Sequence, residues 1–133
     1  MKKFISSLLG IKPAPVQSAD AARDPDWVHI DSDETTAVYY DRSRVLRKNK
    51  LVGFYLLVNF LEPDESEQFQ SVVFQSGIDG RDGVIFHWQL DYYSQPYAKG
   101  EIVRQNIYDD NNQSIHSAFA SNRGKMIFNI LCG

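Results

Sequence analysis

Apolar side chains recur at every second position along much of the chain after residue 26, which is the period of a β-strand. The clearest run is the segment 51–62, LVGFYLLVNFLE. One of its faces carries Val52, Phe54, Leu56, Val58 and Phe60, and the other face is almost equally apolar. Strands that are apolar on both faces are typically covered on both sides. We therefore expect this segment to be the central strand of a sheet.

The segment 84–93, VIFHWQLDYY, shows a cleaner alternation that predicts a half-buried antiparallel strand. One face is expected to carry Val84, Phe86, Trp88, Leu90 and Tyr92, and the other His87, Gln89 and Asp91. Weaker alternation predicts further strands within 37–40, 69–76 and 100–108. Short stretches rich in Asp, Asn, Glu or Gly separate these runs and suit tight turns.

The period changes at the end of the chain. After Ser121, a residue type suited to capping a helix, Met126, Ile127, Ile130 and Leu131 recur at helical spacing, and Gly133 is a natural stop. The predicted fold class is α+β, an antiparallel meander of about five to six strands with a C-terminal helix packed on it.

Two regions follow from the composition along the chain. Residues 26–133 are predicted to form a single domain, and residues 1–25 an N-terminal arm that ends in a Pro-rich linker. The arm has a basic start, an apolar stretch at 4–11 and a candidate cleavage site at 19–21, which is the outline of a signal peptide. Read as a helix, residues 1–11 are instead amphipathic and suited to a membrane surface or a partner. Both interpretations stay open: export if residues 1–21 are cleaved, and the cytoplasm otherwise.

The net charge and the lengths of the apolar runs limit the classes of partner that this chain can have. The chain has 133 residues, a net charge of −3 and a pI near 5.5, which argues against nucleic acid because phosphate neutralisation needs clustered Lys and Arg. No apolar run approaches the roughly 20 residues that span a bilayer, so we predict no transmembrane segment. The one cysteine, Cys132, has no internal disulfide partner, and we expect its thiol to be buried.

One polar group at the start of the domain resembles a metal or catalytic site. It consists of His29, Asp31, Asp33 and Glu34. A calcium loop needs further spaced oxygen ligands, and zinc needs further His or Cys, whereas His87 and His116 lie far away in the sequence. The residues DSDET stand between two strand-like runs, where a hairpin loop belongs. We therefore predict a hairpin crown and no metal ligands.

No motif of known chemistry is found, neither Gly-x-Ser-x-Gly nor a phosphate loop. His87 and Asp91 are expected on one strand face, but four residues of strand span about 13 Å, too far for a hydrogen-bonded pair. A histidine on the polar face of a strand is usually solvated. We predict no catalytic residues and no cofactor, although an enzyme whose site one sequence does not reveal stays open.

Two groups of residues are candidates for contacts with a protein partner. The basic run RSRVLRKNK contributes Arg42, Arg44, Arg47, Lys48 and Lys50, and the aromatic group consists of Tyr92, Tyr93 and Tyr97. If the basic run begins as a strand, Arg42, Arg44 and Lys48 share a face. The competing interpretation is structural, because basic residues on an edge strand prevent unwanted pairing and tyrosines are ordinary strand residues.

The order of these features resembles the surface-adhesin E family of bacterial proteins. The segment DWVHI…TTAVYYDRSRVLRKNKLVGFYLLVNF is similar to the start of that family's domain, and SNRGKMIFNILC to its terminal helix and final cysteine. The resemblance covers about Trp27 to Cys132. It implies a curved antiparallel sheet with a helix packed across it, and an exported binding module; the best-known member is an adhesin for host matrix and plasma proteins.

Two departures from the family pattern matter. The family has a second cysteine that pairs with the terminal one, in the strand that here reads FHWQLDYY; this chain has Leu90 and its neighbours there, so Cys132 is left alone. The family also tends to have basic residues after that cysteine, whereas this chain has Asp91, Tyr92 and Tyr93. Our leading hypothesis is a non-enzymatic protein-binding module of this type. The alternative is a cytoplasmic inhibitor or immunity-like protein on the same scaffold.

Overall fold

The structure, a computed structural model, describes residues 24–62, 66, 68–109 and 114–133. The predicted arm therefore lies almost entirely outside the described residues, as do parts of the predicted loops 62–67 and 109–114. Whether that arm is a signal peptide or an amphipathic segment stays a prediction. Within the described residues, no helix is both long and apolar enough to cross a membrane.

One antiparallel sheet of eight strands forms the body of the described chain. Its strands are β1 (Trp27–Ser32), β2 (Thr36–Asp41), β3 (Leu46–Lys48), β4 (Leu51–Phe60), β5 (Ser71–Asp79), β6 (Val84–Gln95), β7 (Lys99–Ile107) and β8 (Ser114–Ser117). The main order is β1-β2-β4-β5-β6-β7, with β3 paired to β4 and β8 paired to β6. The predicted fold class is confirmed, but the sheet has more strands than expected. The additional strands β3 and β8 span only three and four residues, too few to show a period.

β4 is the central strand, as its two apolar faces predict. It pairs with β2 and β3 along one edge and with β5 along the other. Its first seven residues are all buried, and Phe54 and Leu57, which point to opposite faces, are both 0% exposed. Each fully buried side chain of this size contributes roughly 1.5–3 kcal/mol. The strand therefore contributes to hydrophobic clusters on both faces of the sheet.

The C-terminal helix α1 (Asn122–Cys132) packs on one face of the sheet. Ser121 caps it by accepting a hydrogen bond from the Gly124 backbone N–H at 2.9 Å. The helix and that sheet face share a core of Val38, Val52, Phe54, Leu56, Ile78, Ile85, Ala118, Ile127 and Leu131. The predicted contact face is wrong in part, because Met126 and Ile130 are 40% and 41% exposed. Gly124, Ile127 and Leu131 make the contact instead.

A β-bulge in β6 overturns the predicted facing of that strand. Gln89 is opposite Gln75, but the next pair along is His87 with Ser76, so Trp88 is the extra residue. The side chains before the bulge therefore point to the faces opposite to those that unbroken alternation predicts. His87 lies on the helix side and is 9% exposed, so the predictions that it is solvated and shares a face with Asp91 are wrong.

At Gly124 the helix lies close to the 3₁₀ turn Ala118–Ala120 that precedes it, which generates a stability prediction. A Cβ at this position would lie 2.2 Å from the carbonyl oxygen of Ala118. Replacing Gly124→Ala improves helix propensity by about 1 kcal/mol, but the backbone clash forces the helix away from its seat. We expect a net loss of about 1–3 kcal/mol in the free energy of unfolding, measured in urea.

The matched control is Met126→Ala on the exposed side of the same helix, for which we expect a change within about 0.5 kcal/mol. A Gly124→Ala variant as stable as this control would contradict the described seating of α1.

Candidate functional site

The sheet face opposite α1, which we call the open face, carries a group of aromatic side chains. At one end of it lies the tyrosine patch, which we define as Tyr39, Tyr55, Tyr93 and Tyr97 together with Arg44. Tyr55 and Tyr93 pack with Leu57 and Val73 in one hydrophobic cluster. Burial raises the pKa of Tyr93, so its phenol stays neutral and available as a donor. The patch therefore rests on the central strands.

Tyr97 is the exposed member of the patch, and the half-buried Tyr39 lies beside it. Their ring centroids are 5.6 Å apart and their hydroxyl oxygens 3.4 Å apart, and Tyr97 is 46% exposed. The hydrogen bond to Tyr97 raises the pKa of Tyr39, with burial as a second cause. His29 stands edge-on to the other side of Tyr39, with a centroid distance of 5.4 Å.

The turn that presents Tyr97 is strained. Tyr97 and the following Ala98 have φ of 60° and 57°, a left-handed conformation that costs roughly 1–3 kcal/mol for a residue with a side chain. Two buried polar side chains of β4 and β5 hold it. Asn59 accepts from the Tyr97 N–H at 2.8 Å, and Ser71 accepts from the Ala98 N–H at 3.0 Å. Backbone strain of this kind is a recurrent feature of functional sites.

Arg44 joins the patch from a 3₁₀ turn between β2 and β3. Its guanidinium carbon lies 5.5 Å from the centre of the Tyr55 ring, within the range of a cation–π contact. Its Nε lies 3.3 Å from Oδ2 of Asp41, which is 0% exposed. Asp41 also accepts from two hydrogen-bond donors of Ser43. The arginine is therefore fixed over the tyrosines by a buried carboxylate.

Beside the patch, the centre of the open face is polar. The buried carboxylate of Asp91 accepts from the side-chain amides of Gln89 at 2.9 Å and Gln105 at 2.8 Å. Gln75 approaches the second oxygen at 3.4 Å. These bonds stabilise the carboxylate in its buried position.

The basic run does not form one surface with the tyrosine patch. Arg42 and Arg44 lie in the 3₁₀ turn Arg42–Arg44, so the expected strand face shared with Lys48 is wrong. Arg42 is exposed and pairs with Asp26 at 2.8 Å. Arg47 donates to the carbonyl oxygen of Leu131 and so binds the C-terminal end of α1. Of the predicted basic contacts, the structure brings only Arg44 to the tyrosines.

Lys48 and Lys50 lie at the opposite end of β4 from the tyrosine patch. Together with Asn49, Leu51 and Arg81 they line an open depression of about 280 Å³. Lys48 pairs with Leu51 at the start of β4 and Lys50 directly precedes that strand, whereas the Tyr97 N–H bonds Asn59 near its end. At about 3.4 Å per residue, the two surfaces are more than 20 Å apart.

Tyr92 points to the helix side of the sheet, away from Tyr93. Its ring lies 4.8 Å from that of Phe69, and the guanidinium of Arg104 stacks 5.1 Å from its centre. Its hydroxyl accepts from the side-chain amide of Asn106 at 3.1 Å. These contacts support a packing role.

The predicted hairpin crown is confirmed. Oδ1 of Asp33 accepts from the backbone N–H groups of Thr35 and Thr36, both at 2.8 Å, and these bonds lower its pKa to about 2. Asp31 and Asp33 also face Arg123 of α1, each at 3.3 Å. The acidic group therefore shapes the turn and ties it to the helix.

One constellation was missed in the sequence because its members are 29 residues apart. Nε2 of His87 lies 2.9 Å from Nε2 of His116 on β8, and Nδ1 of His87 lies 2.6 Å from the hydroxyl of Ser76. Burial and the nearby His116 lower the pKa of His87 to about 3, so its imidazole is neutral. Only the bulge at Trp88 and the pairing of β8 with β6 bring these histidines together.

Cys132, the last residue of α1, is only partly buried, which corrects the expectation of a buried thiol. A Cβ added at Gly80 would lie 3.5 Å from its sulfur. Burial raises the pKa of the thiol.

Fold and surface together define a class: a curved-sheet protein with one C-terminal helix, whose uncovered sheet face carries a patch of tyrosines. A family model described as surface-adhesin protein E matches residues 27–133. The chain therefore belongs to the surface-adhesin protein E family, as its sequence resemblance indicates.

Solved structures agree with this fold. Crystal form II of Haemophilus influenzae protein E superimposes with a TM-score of 0.60 at 15% identity, covering 91% of this chain and 92% of that one. A selenomethionine form of the same protein gives 0.59 at 15% identity, with 91% of each chain covered. A search of the curated proteins finds no match. At this identity the likeness shows a shared fold.

The buried carboxylate of Asp41 generates a prediction about Arg44. Replacing Arg44→Ala leaves the Asp41 carboxylate without the guanidinium beside it, and we expect a loss of about 1–3 kcal/mol in the free energy of unfolding. The control Arg42→Ala removes an exposed ion pair and should cost less than about 1 kcal/mol. Equal losses for both variants in urea unfolding would contradict this role of Arg44 beside the buried carboxylate.

The raised pKa of Cys132 generates a second prediction. The thiolate is the reactive form, so iodoacetamide should modify Cys132 several-fold more slowly in the folded chain than in the same chain unfolded in urea. Intact mass followed over time measures both rates. Equal rates would contradict the packing described for this residue.

Proposed function

We propose that this protein is a non-enzymatic, exported binding module, and that the tyrosine patch is the surface with which it holds a protein partner. The partner class suggested by the family is a host matrix or plasma protein. The observation that supports this proposal most directly is the exposed ring of Tyr97, which lies against the half-buried Tyr39 and beside Arg44 on the sheet face opposite the helix.

The composition of the patch supports binding. Tyrosine and arginine supply much of the energy of protein interfaces, because they bury a large area while retaining a polar group for specific hydrogen bonds. The hydroxyls of Tyr39 and Tyr97 are such groups.

The rigidity of the patch also supports binding. The strained turn at Tyr97 is fixed by Asn59 and Ser71, and Arg44 is fixed by Asp41. A surface ordered before binding loses less conformational entropy on association. Side chains held this firmly are therefore suited to a specific contact.

Lys48, Lys50 and the depression that they line form a second surface of different chemistry. Exposed lysines contribute mainly to long-range attraction and to the rate of association. We therefore propose that these lysines attract an acidic surface of the partner and speed association. The tyrosine patch then makes the main contact.

The test of the tyrosine patch is a binding measurement against a panel of immobilised matrix and plasma proteins. We expect Tyr97→Ala to weaken binding tenfold or more, because it removes an exposed ring at the centre of the contact. The control Ile130→Ala removes a comparably exposed side chain on the helix and should leave binding unchanged.

Unfolding in urea separates loss of contact from loss of fold, since Tyr97→Ala keeps the strained turn and its backbone hydrogen bonds. Binding that is insensitive to Tyr97→Ala and lost on Ile130→Ala would transfer the proposed surface to the helix side. Export is tested separately: a mature chain that begins near residue 22 supports it, and an intact Met1 in the soluble fraction contradicts it.

A further inference from the structure

A pair of histidines lies under the start of α1, on the opposite side of the sheet from the tyrosine patch. Nε2 of His87 and Nε2 of His116 are 2.9 Å apart, and the ring planes are tilted by 33°. His116 is exposed to solvent, whereas His87 is 9% exposed. The pair therefore has one anchored and one accessible member.

Two imidazole nitrogens that face each other at this distance are close to the geometry of two ligands on one metal ion. Zinc binds histidine nitrogen at about 2.0–2.1 Å, so two ligands at tetrahedral angles are about 3.4 Å apart. The movement that leads from the present arrangement to that one separates the two nitrogens by about half an ångström and turns the rings so that both lone pairs point at the ion. His116 has the freedom to make it, because it is exposed on a short strand.

A hydrogen bond fixes the buried ligand from behind. Nδ1 of His87 lies 2.6 Å from the hydroxyl oxygen of Ser76, which is 0% exposed. A histidine that binds a metal through one nitrogen commonly donates its other N–H to an oxygen, which sets the tautomer and the ring orientation. Ser76 is placed to accept that bond and leaves the Nε2 lone pair of His87 directed at His116.

Space for the ion lies beside both rings. A cavity of about 180 Å³ is lined by His87, His116, Ser121 and Arg123 and by apolar side chains of the helix-side core. The guanidinium of Arg123 is offset by Asp31 and Asp33, each 3.3 Å away. The cavity has room for water or a small ligand in the coordination positions that the protein leaves open.

We propose that His87 and His116 form a two-histidine site for a divalent transition metal such as zinc, completed by water or an external ligand in the adjacent cavity. Nitrogen ligands select zinc, nickel or copper over magnesium and calcium, which prefer oxygen. Across the described residues, no group of three or more His, Cys, Asp and Glu is placed to hold a metal.

The site would join β8 to β6. Val84, Ile85, Phe86 and His87 pair with the four residues of β8, so a metal bound between the strands stabilises their contact. An ion that binds the folded chain but not the unfolded chain raises the melting temperature, roughly in proportion to the logarithm of the metal concentration.

The test is a calorimetric titration of the full chain, freed of any polyhistidine tag, with zinc chloride. We expect one zinc per chain, a rise of a few degrees in melting temperature, and no response to magnesium chloride. His116→Ala should weaken zinc binding at least tenfold. The control is His29→Ala, which removes the remaining histidine of the chain, on the open face, and should leave zinc binding unchanged.

Cobalt chloride gives a second readout, because cobalt in a nitrogen-ligated tetrahedral site absorbs visible light. His116→Ala is the primary variant since its side chain is exposed; Ser76→Ala should weaken zinc binding while retaining the cobalt spectrum. Absence of zinc binding at millimolar concentration, or equal binding by wild type and His116→Ala, would overturn the proposal.

Discussion

The arrangement of this protein depends on one strand that is buried on both sides. β4 pairs along both edges, and its alternate residues feed two hydrophobic clusters, one under α1 and one on the open face. Because Phe54 and Leu57 are both fully buried, a shift of register by one residue would exchange the two sets of side chains. The separation of a helix-covered side from an open side therefore follows from the sequence of β4.

Local signals in the sequence predicted what depends on local interactions. The alternation of segment 51–62 predicted a central strand, DSDET predicted a turn held by Asp33, and Ser121 and Gly133 predicted the ends of α1. Each of these features is stabilised within a few residues or by the burial of a long apolar run. The family resemblance covered the same region and gave the correct sheet and helix.

The features that were wrong or missed depend on contacts between distant residues. The bulge at Trp88 leaves no mark in an alternating sequence, yet it moves His87 from the solvent side to the helix side. Met126 and Ile130 match helical spacing as well as Ile127 does, and the face that packs is the one that carries Gly124, Ile127 and Leu131. Glycine lowers helix propensity, whereas in this structure Gly124 permits the close contact with Ala118.

The two candidate sites also depend on contacts between residues that are distant in the sequence, and they share one strand. The tyrosine patch combines residues of β2, β4, β6 and two turns, and the histidine pair combines β6 with β8, so neither follows from spacing. β6 contributes to both, since Tyr93 lies after the bulge and His87 before it. The two residues are six positions apart in β6, but their partners Ser71 and Ser76 are only five positions apart in β5, because Trp88 is the extra residue of the bulge. The bulge therefore places Tyr93 and His87 on opposite faces of the strand. Unbroken alternation from Tyr93 would place His87 on the open face, so the histidine pair depends on this single irregularity.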